Sequence, residues 1–387
     1  MRYAVDAHAI GRHLTGNEVY IRSLLRAFTD LDRDSQFLAY VCEQEAENWL
    51  PGRVRVHRVA RSPWVRLGWD LARRVREDCP DLLHVQYTAP LRTSVPIVVT
   101  VHDVSFLEHP EYFTRMRGFQ LRHTVARTVK SAARILTVSE FSRRQILKAY
   151  DLPPEKVTVI PNAASDDFRV IGHDRAQAAA AQTTGSEAPF VFSVGDLQPR
   201  KNLIGLIAAF TRLVTENPQL KHNLVLTGQD TWFTHKVREA ARASGIASRI
   251  IFTGFVPDSA LLQLYNACDC FVFPSFYEGF GLPIVEAMAC GRAVACSNTS
   301  AMPEVADGAA QLFDPSCIEG MARAMADLLL NAELRGRKER LGLQRAGLFN
   351  WNRSAQATLE VYRQVVNAST PTTTAAVRSA AAAGNRK

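Results

Sequence analysis

Short apolar runs alternate with helix-length amphipathic segments along this chain, and the alternation stops once and then restarts. Strands that are apolar along their whole length are buried on both faces, which is the state of parallel strands covered by helices. In the first half, strands are predicted at 3–6, 36–41, 54–59, 82–86, 96–101 and 135–138, with helices at 18–28 and 141–150 among those between them. In the second half, strands are predicted at 190–194, 223–227, 250–253, 270–274, 293–296 and 310–313. Helices fit 203–215, 234–243, 259–267, 283–289 and 318–330. The seam between the halves, 166–189, is low in complexity and reads as a linker with a loose surface insertion. A chain of 387 residues accommodates two domains. The expectation is an α/β protein with two facing doubly wound, Rossmann-like domains, 1–165 and 190–350. Ligands of such sheets bind at the carboxyl ends of the strands, and two facing sheets form a cleft.

With 47% hydrophobic and 22% charged residues, the composition is that of an ordinary soluble protein. The opening MRYAVDAHAIGRH has no uninterrupted apolar run, and nowhere do about 18 apolar residues run together. A cytoplasmic location is therefore expected. The seven cysteines are odd in number and sit mostly in apolar runs, as buried reduced thiols do. Most of the net charge of +8 lies in the first 165 residues, which fits plain solubility or an anionic partner such as a phosphorylated acceptor or an acidic membrane face. No nucleic-acid partner is expected. The segment 61–77 reads as a helix with Trp64, Leu67, Gly68, Leu71 and Val75 on one stripe and Arg66, Arg73, Arg74 and Arg76 beside it. It is either a core-facing helix or a peripheral contact with the inner membrane face, where lipid-linked acceptors reside. The tail 367–387 is rich in Ala, Ser and Thr and is expected to be disordered.

The most informative stretch is FVFPSFYEGFGLPIVEAMACGRAVACS, residues 271–297. An apolar strand runs into a loop with Gly279 and Gly281. Pro283 suits the first turn of a helix, and Gly291 suits its end. The loop formed by Gly279, Phe280, Gly281 and Leu282 thus feeds a helix N-terminus, where backbone amides and the helix dipole attract anions. Glu278 precedes the loop, and Glu286 lies about one turn into the helix. Carboxylates accept hydrogen bonds from sugar hydroxyls. Two carboxylates around an anion-binding loop suit a ligand bearing both phosphates and hydroxyls. The same residues also fit an ordinary strand–turn–helix unit, and the third glycine of the dinucleotide fingerprint is missing. Upstream, VFSVGDLQPRKNL (191–203) reads as strand, turn at Gly195, loop and helix. Arg200 and Lys201 stand before that helix, with Asn202 as its N-cap. They are either a phosphate clamp or a solvated basic pair.

EGFGLPIVEAMACGRAV closely resembles the signature of the glycosyl transferases group 1 family, a Glu followed after seven residues by a second Glu. SNTSAMPEVADGAAQLFDP (297–315) resembles its continuation, and PRKN resembles a stretch whose cations hold the donor diphosphate. The chain departs from the pattern at Arg292–Ala293, and at Asp196, where some members carry an arginine. The resemblance implies a GT-B fold and transfer of a hexose from a nucleotide diphosphate sugar, with retention of configuration, to a saccharide or lipid-linked acceptor in cell-surface polysaccharide or glycolipid synthesis. Arg200, Lys201 and the amides of 279–282 would stabilise the leaving diphosphate. Glu286 would hold the ribose hydroxyls, and Glu278 those of the transferred sugar. Gly228, in TGQDTW, would end a strand at the donor cleft, and Val256 would lie beside the base.

In the first half, Gly16 lies in AIGRHLTGNEVYIRSLL (9–25), where the family has a glycine loop over the donor phosphates. His102, in VTVHDVSFLEHPEYF (99–113), stands where the family places a histidine against the transferred sugar or acceptor. Asp103 would orient His102 or cap the next segment, and Ser139 would cap a helix beginning at Glu140. The segment 351–366 resembles the family's terminal helix, which returns to the first domain. The cations and helix dipoles supply the positive charge, and there is no Asp-x-Asp motif. Neither a metal nor a cofactor is therefore expected, and the nucleotide sugar is a substrate. PRKN and TGQDTW look like those of mannosyl- and rhamnosyl-transferring relatives, which makes GDP-mannose the first donor to test. A nucleotide-sugar epimerase on the same fold and a non-catalytic nucleotide-sugar-binding protein are the alternatives.

Overall fold

A computed structural model describes residues 1–12 and 15–369. It contains two sheets. The first is built from β1 (Arg2–Asp6), β2 (Gln36–Val41), β3 (Val54–Arg58), β4 (Leu82–Gln86), β5 (Ile97–Thr100), β6 (Arg134–Thr137) and β7 (Val157–Val159), in the order β3-β2-β1-β4-β5-β6-β7. The second comprises β8 (Phe190–Val194), β9 (Asn223–Thr227), β10 (Ile250–Gly254), β11 (Cys270–Phe273), β12 (Val294–Ser297) and β13 (Gln311–Phe313), in the order β10-β9-β8-β11-β12-β13. The pairing is parallel and helices cover the sheets. This is the doubly wound α/β architecture, and the strands fall within a residue or two of their predicted positions. β7 was not anticipated, since three residues between prolines carry no periodic signal. Nor does the sequence pattern mark the long helix Arg115–Ser131.

The chain divides into two compact units. Among the described residues, the first comprises those of Met1–Thr100, Arg127–Ile135 and Ala355–Ser369. Its core is aromatic: the ring of Tyr362 lies 5.0 Å from that of Tyr3 and 5.7 Å from that of Phe28. A buried polar chain threads this core. The Tyr362 hydroxyl is 2.5 Å from His84 Nδ1, His84 Nε2 is 2.7 Å from the Thr100 hydroxyl, and that hydroxyl is 2.8 Å from Tyr20. Each buried polar group thereby recovers a partner lost to solvent. Tyr362 belongs to the terminal helix Trp351–Ser369, so that helix supplies part of this core. Residues 367–369 of the expected disordered tail are helical, and 370–387 lie outside the described residues.

The segment 61–77 departs from the predicted stripe. Leu71 and Val75 are buried, but Trp64 is 78% exposed and Arg66 is only 4% exposed. The cause is a π-helical turn over Arg66–Asp70, between the turn Pro63–Val65 and the helix Leu71–Asp78. A π turn inserts one extra residue and rotates what precedes it out of the helical register. Arg66 is turned inward, 3.7 Å from the buried carboxylate of Asp6. His8 lies 3.1 Å from Asp6 as well, and against the effect of burial the two hold that carboxyl at about 2.

The second unit comprises Val101–Ala126 and Leu136–Ser354. One face of the sheet β8–β13 packs on helix Leu203–Glu216 and helix Ile318–Leu330, and the other on helix Asp258–Ala267 and helix Leu282–Ala289. The stretch expected as a loose insertion is instead the helix His173–Thr184. Alanine is the best helix former, and here Ala176 and Ala180, one turn apart, bury a narrow stripe in the core. Asn266 ties down the preceding segment by accepting from Ile171 N and donating to Arg169 O. Cys268, Cys270, Cys290 and Cys296 are buried thiols, Cys42 is half-buried, and Cys79 and Cys317 are exposed.

Candidate active site

In the second sheet the chain leaves β8 for β9 and β10 on one side, then crosses back to β11 on the other. The crevice at the carboxyl ends of β8 and β11 is the topological switch point, where open α/β sheets bind ligands. The two stretches singled out from sequence end at that point. After β8 come Gly195 and the turn Pro199–Lys201, and after β11 come Glu278 and the glycine loop.

They meet directly. Arg200 Nη1 lies 2.6 Å from Glu278 Oε2, and Lys201 Nζ donates to Glu278 Oε1 at 2.8 Å. Lys201 Nζ also sits 4.5 Å from the centroid of the Phe273 ring, a cation–π distance. Burial would raise the Glu278 pKa, but Arg200 and Lys201 outweigh it and hold the carboxyl at about 2. Burial pulls the Lys201 pKa down, and Glu278 opposes that shift. The result is two cations gathered on one ionised carboxylate in a site where the three side chains are only 11–18% exposed.

Two glycines make this approach possible. A Cβ on Gly195 would stand 2.9 Å from Lys201 Cε, and one on Gly228, at the end of β9, would stand 2.0 Å from the carbonyl oxygen of Gly195. Asn202 does not cap the helix after the clamp. It takes a left-handed conformation, and its amide donates to Pro315 O at 2.8 Å.

The glycine loop enters helix Leu282–Ala289 with Pro283 in its first turn and Gly291 just past its end. Gly279 packs against His102, since a Cβ there would stand 2.3 Å from the His102 carbonyl oxygen. The Gly279 carbonyl accepts hydrogen bonds from both Ser139 and Ser142, at 2.7 and 3.1 Å. Ser139 also accepts from Ser142 N, capping helix Glu140–Tyr150 as expected. Burial depresses the His102 pKa to about 4, so its imidazole is neutral near pH 7. Asp103 caps the next segment by accepting from the backbone and hydroxyl of Ser105.

Glu286 is buried within the helix and accepts from the Tyr265 hydroxyl at 2.8 Å. Burial raises its pKa to about 7, opposed by that hydrogen bond and by the nearby charge of Lys201. Val256 is half-buried and packs on the core beside the start of helix Asp258–Ala267. Gly16 is exposed in the first turn of helix Thr15–Leu31, in the other unit, and is not among the residues gathered here.

Several contributors escaped sequence reasoning. Tyr265, Phe273, Ser142 and Ser300, which accepts from Glu278 N at 2.9 Å, look like core or loop residues in sequence. Glu304 accepts from the backbone amides of Glu140 and Phe141 at 2.8 and 2.9 Å, a pairing that spans 163 residues or more.

Comparison with known proteins shows the family. Residues 174–342 match the model of the glycosyl transferases group 1, and residues 14–168 match that of glycosyltransferase family 4. The O-antigen chain mannosyltransferase B of Escherichia coli is 32% identical over 266 residues, covering 69% of this chain and 70% of that one. The chain belongs to the group 1 glycosyltransferases. Sucrose-phosphate synthase from Thermosynechococcus elongatus superposes on this glycosyltransferase with a TM-score of 0.77 at 18% identity, over 95% of this chain and 99% of that one. Anabaena HepE, solved in complex with UDP and glucose, gives 0.76 at 19% identity, over 94% of this chain and 100% of that one. The fold is therefore GT-B, as expected from the sequence. Arg200, Lys201 and Glu278 meet at the switch point of the second sheet.

Proposed function

We propose that this glycosyltransferase transfers a mannosyl residue from a nucleotide diphosphate sugar, GDP-mannose in the first instance, to a saccharide or lipid-linked acceptor with retention of configuration. The setting is cell-surface polysaccharide synthesis. The observation that carries the reading is the meeting of Arg200 and Lys201 with Glu278 beside a helix N-terminus at the switch point. The name of the E. coli relative, an O-antigen chain mannosyltransferase, supports the sugar and the setting. HepE binds UDP and glucose, which supports a nucleotide-sugar donor while leaving the base to be tested.

In this mechanism Arg200, Lys201 and the N-terminus of helix Leu282–Ala289 take the donor diphosphate. The acceptor hydroxyl oxygen bonds to the anomeric carbon as the bond from that carbon to the phosphate oxygen breaks, and the acceptor's proton passes to the leaving phosphate. Positive groups fixed in advance stabilise the charge that develops there, usually the largest catalytic contribution. Glu278, ionised, accepts hydroxyls of the transferred sugar, and neutral His102 offers a hydrogen bond without a competing charge. Glu286 accepts the ribose hydroxyls. A thermal-shift panel of nucleoside diphosphates and their sugars tests the donor, because a ligand that binds the folded state raises its melting temperature by mass action. GDP and GDP-mannose should give the largest shifts. A larger shift with UDP or dTDP would reject the base, and no shift with any nucleotide would reject the reading.

Peripheral membrane contact forms part of the same proposal. Among the described residues no helix is long and apolar enough to cross a membrane. On the first unit, Trp64, Val65, Trp69 and Leu91 are exposed, and Leu91 N donates to Leu67 O, joining two segments into one patch. Arg73 lies 5.1 Å from the Trp69 ring, and Arg61 and Arg92 are exposed nearby in sequence. Exposed tryptophans with basic neighbours suit an anionic interface. The wild type should sediment with anionic vesicles at low salt and Trp64→Ala/Trp69→Ala should not; a wild type that stays in solution refutes the contact.

A further inference from the structure

In the second unit, the loops after β11, β12 and β13 meet the segment 108–112 and helix Glu140–Tyr150 around a groove of about 490 Å³. That is the size of a small-ligand site. Its wall is aromatic. His109 and Tyr112 stack with centroids 5.0 Å apart and planes 17° apart. Tyr277 meets His109 edge-on at 5.3 Å and Phe141 at 5.4 Å. Its rim is polar and includes Glu108, Asp314 and Ser300, with no Lys or Arg among the described lining residues.

The groove adjoins the clamp without being part of it. The Tyr277 carbonyl accepts from Arg200 at 2.7 Å, Ser300 accepts from the Glu278 amide at 2.9 Å, and the charge of Arg200 reaches the Tyr112 phenol. The groove is thus one residue from the carboxylate that would hold the transferred sugar. It opens over the ends of β11, β12 and β13, whereas Gly228 and Val256, the expected base-side residues, follow β9 and β10 on the other flank of the switch point.

We propose that this groove is an acceptor subsite that holds one neutral pyranose of a saccharide acceptor next to the donor sugar. The proposal rests on the donor reading above. A pyranose has an apolar C–H face and a perimeter of hydroxyls. The stacked pair His109–Tyr112 offers a flat π surface to the face, the carboxylates accept from the hydroxyls, and Ser300 accepts from or donates to them. A nucleotide would also stack, but Glu108 and Asp314 line the groove while Arg200 behind it is already paired with Glu278, so the lining disfavours its phosphates and a lipid phosphate equally. The phosphate of any lipid-linked acceptor therefore lies outside this groove.

The test uses the full chain and α-mannobiose as the probe, followed by saturation-transfer NMR, with GDP affinity measured in parallel by calorimetry. Wild type should show saturation of one mannose ring, strengthened or unchanged when GDP is present. Tyr112→Ala and His109→Ala should each weaken the disaccharide at least about fivefold, in keeping with loss of one stacking surface, while the GDP affinity stays within about twofold. Tyr112→Phe keeps the ring and should bind like wild type, which separates lost stacking from a damaged fold. No saturation in wild type, or wild-type binding in both alanine variants, overturns the subsite. Mannobiose binding without GDP binding would instead leave the subsite standing and remove GDP as the leaving group.

Discussion

Replacing Lys201 with alanine tests the electrostatic core of the mechanism. The ammonium sits 2.8 Å from Glu278 and is 11% exposed, so it acts where water screens weakly. A unit charge about 4 Å from a developing phosphate charge, at an effective dielectric constant of about 20, is worth roughly 4 kcal/mol. Arg200 remains and shares the load, which places the loss near that of a single oxyanion donor, about 2.7–4 kcal/mol or 10²–10³ in turnover. The fold should survive. Glu278 keeps Arg200 at 2.6 Å, so the deletion does not leave its carboxylate unpaired. The assay is steady-state release of nucleoside diphosphate at saturating donor, with the melting temperature as a control. The expected result is a turnover at least about 10²-fold lower with a melting temperature within a few degrees of wild type. Lys201→Arg should recover part of the rate, since it restores the charge but not the fit over Gly195. A Lys201→Ala enzyme that turns over within a few-fold of wild type would refute the assignment of this charge to the leaving group.

Two further outcomes follow from the same geometry. Glu286 has its pKa raised by burial to about 7, so between about pH 4.5 and 7 the folded state holds a proton that the unfolded state has released. The Glu286 contribution to stability therefore falls as pH rises through that window, by at most roughly 3 kcal/mol, while buried neutral His102 contributes with the opposite sign between about pH 4 and 6.5; wild type should lose stability relative to Glu286→Gln as pH rises when the melting temperatures of the two are followed from pH 4.5 to 8. Glu278 has the opposite sign, with stability lost only as pH falls from the normal carboxylate range toward about 2. Glu286→Ala should also cost at least about 10²-fold in turnover through lost ribose orientation, and a near-wild-type rate would remove that role. Gly279→Ala puts a methyl 2.3 Å from the His102 carbonyl oxygen. It should lower the melting temperature and reduce turnover more than tenfold, and an unchanged enzyme would mean that this loop is free to move away from His102.

What was legible in the sequence was whatever the chain encodes locally. Continuous apolar runs located the strands, since parallel strands are buried on both faces, and Gly279, Gly281, Pro283 and Gly291 marked one loop and helix by their backbone preferences. Even the union of 200–201 with 278 was inferable, because both stretches follow strands that neighbour one another at the switch point. Two kinds of feature were not legible. One is register within a helix: nothing in RLGWD announces the π turn that buries Arg66 and exposes Trp64, because the apolar spacing reads equally well as an unbroken helix. The alanine-rich stretch hides its helix for a related reason, since two alanines one turn apart are a weak hydrophobic signal until another helix covers them.

The other kind is the side chain whose chemistry is set by a distant partner. Ser139 looks like a helix-cap residue, and it does cap, but its hydroxyl and that of Ser142, inside the same helix, also hold the Gly279 carbonyl from about 140 residues away. Glu304 looks like a solvated acid in a short helix, yet its carboxylate closes the N-terminus of helix Glu140–Tyr150. These contacts act on one loop. Gly279 is packed against His102, its carbonyl is held by two serines, and the neighbouring Glu278 is held through its amide by Ser300 and through its carboxylate by two cations. A loop whose backbone and charge are both fixed before substrate arrives has little reorganisation left when phosphate charge develops, and that is the condition under which fixed dipoles and cations lower a barrier most. The signature glutamate therefore works as part of an assembly: its own motif supplies the carboxylate, and residues from four other segments of the second unit fix where that carboxylate points.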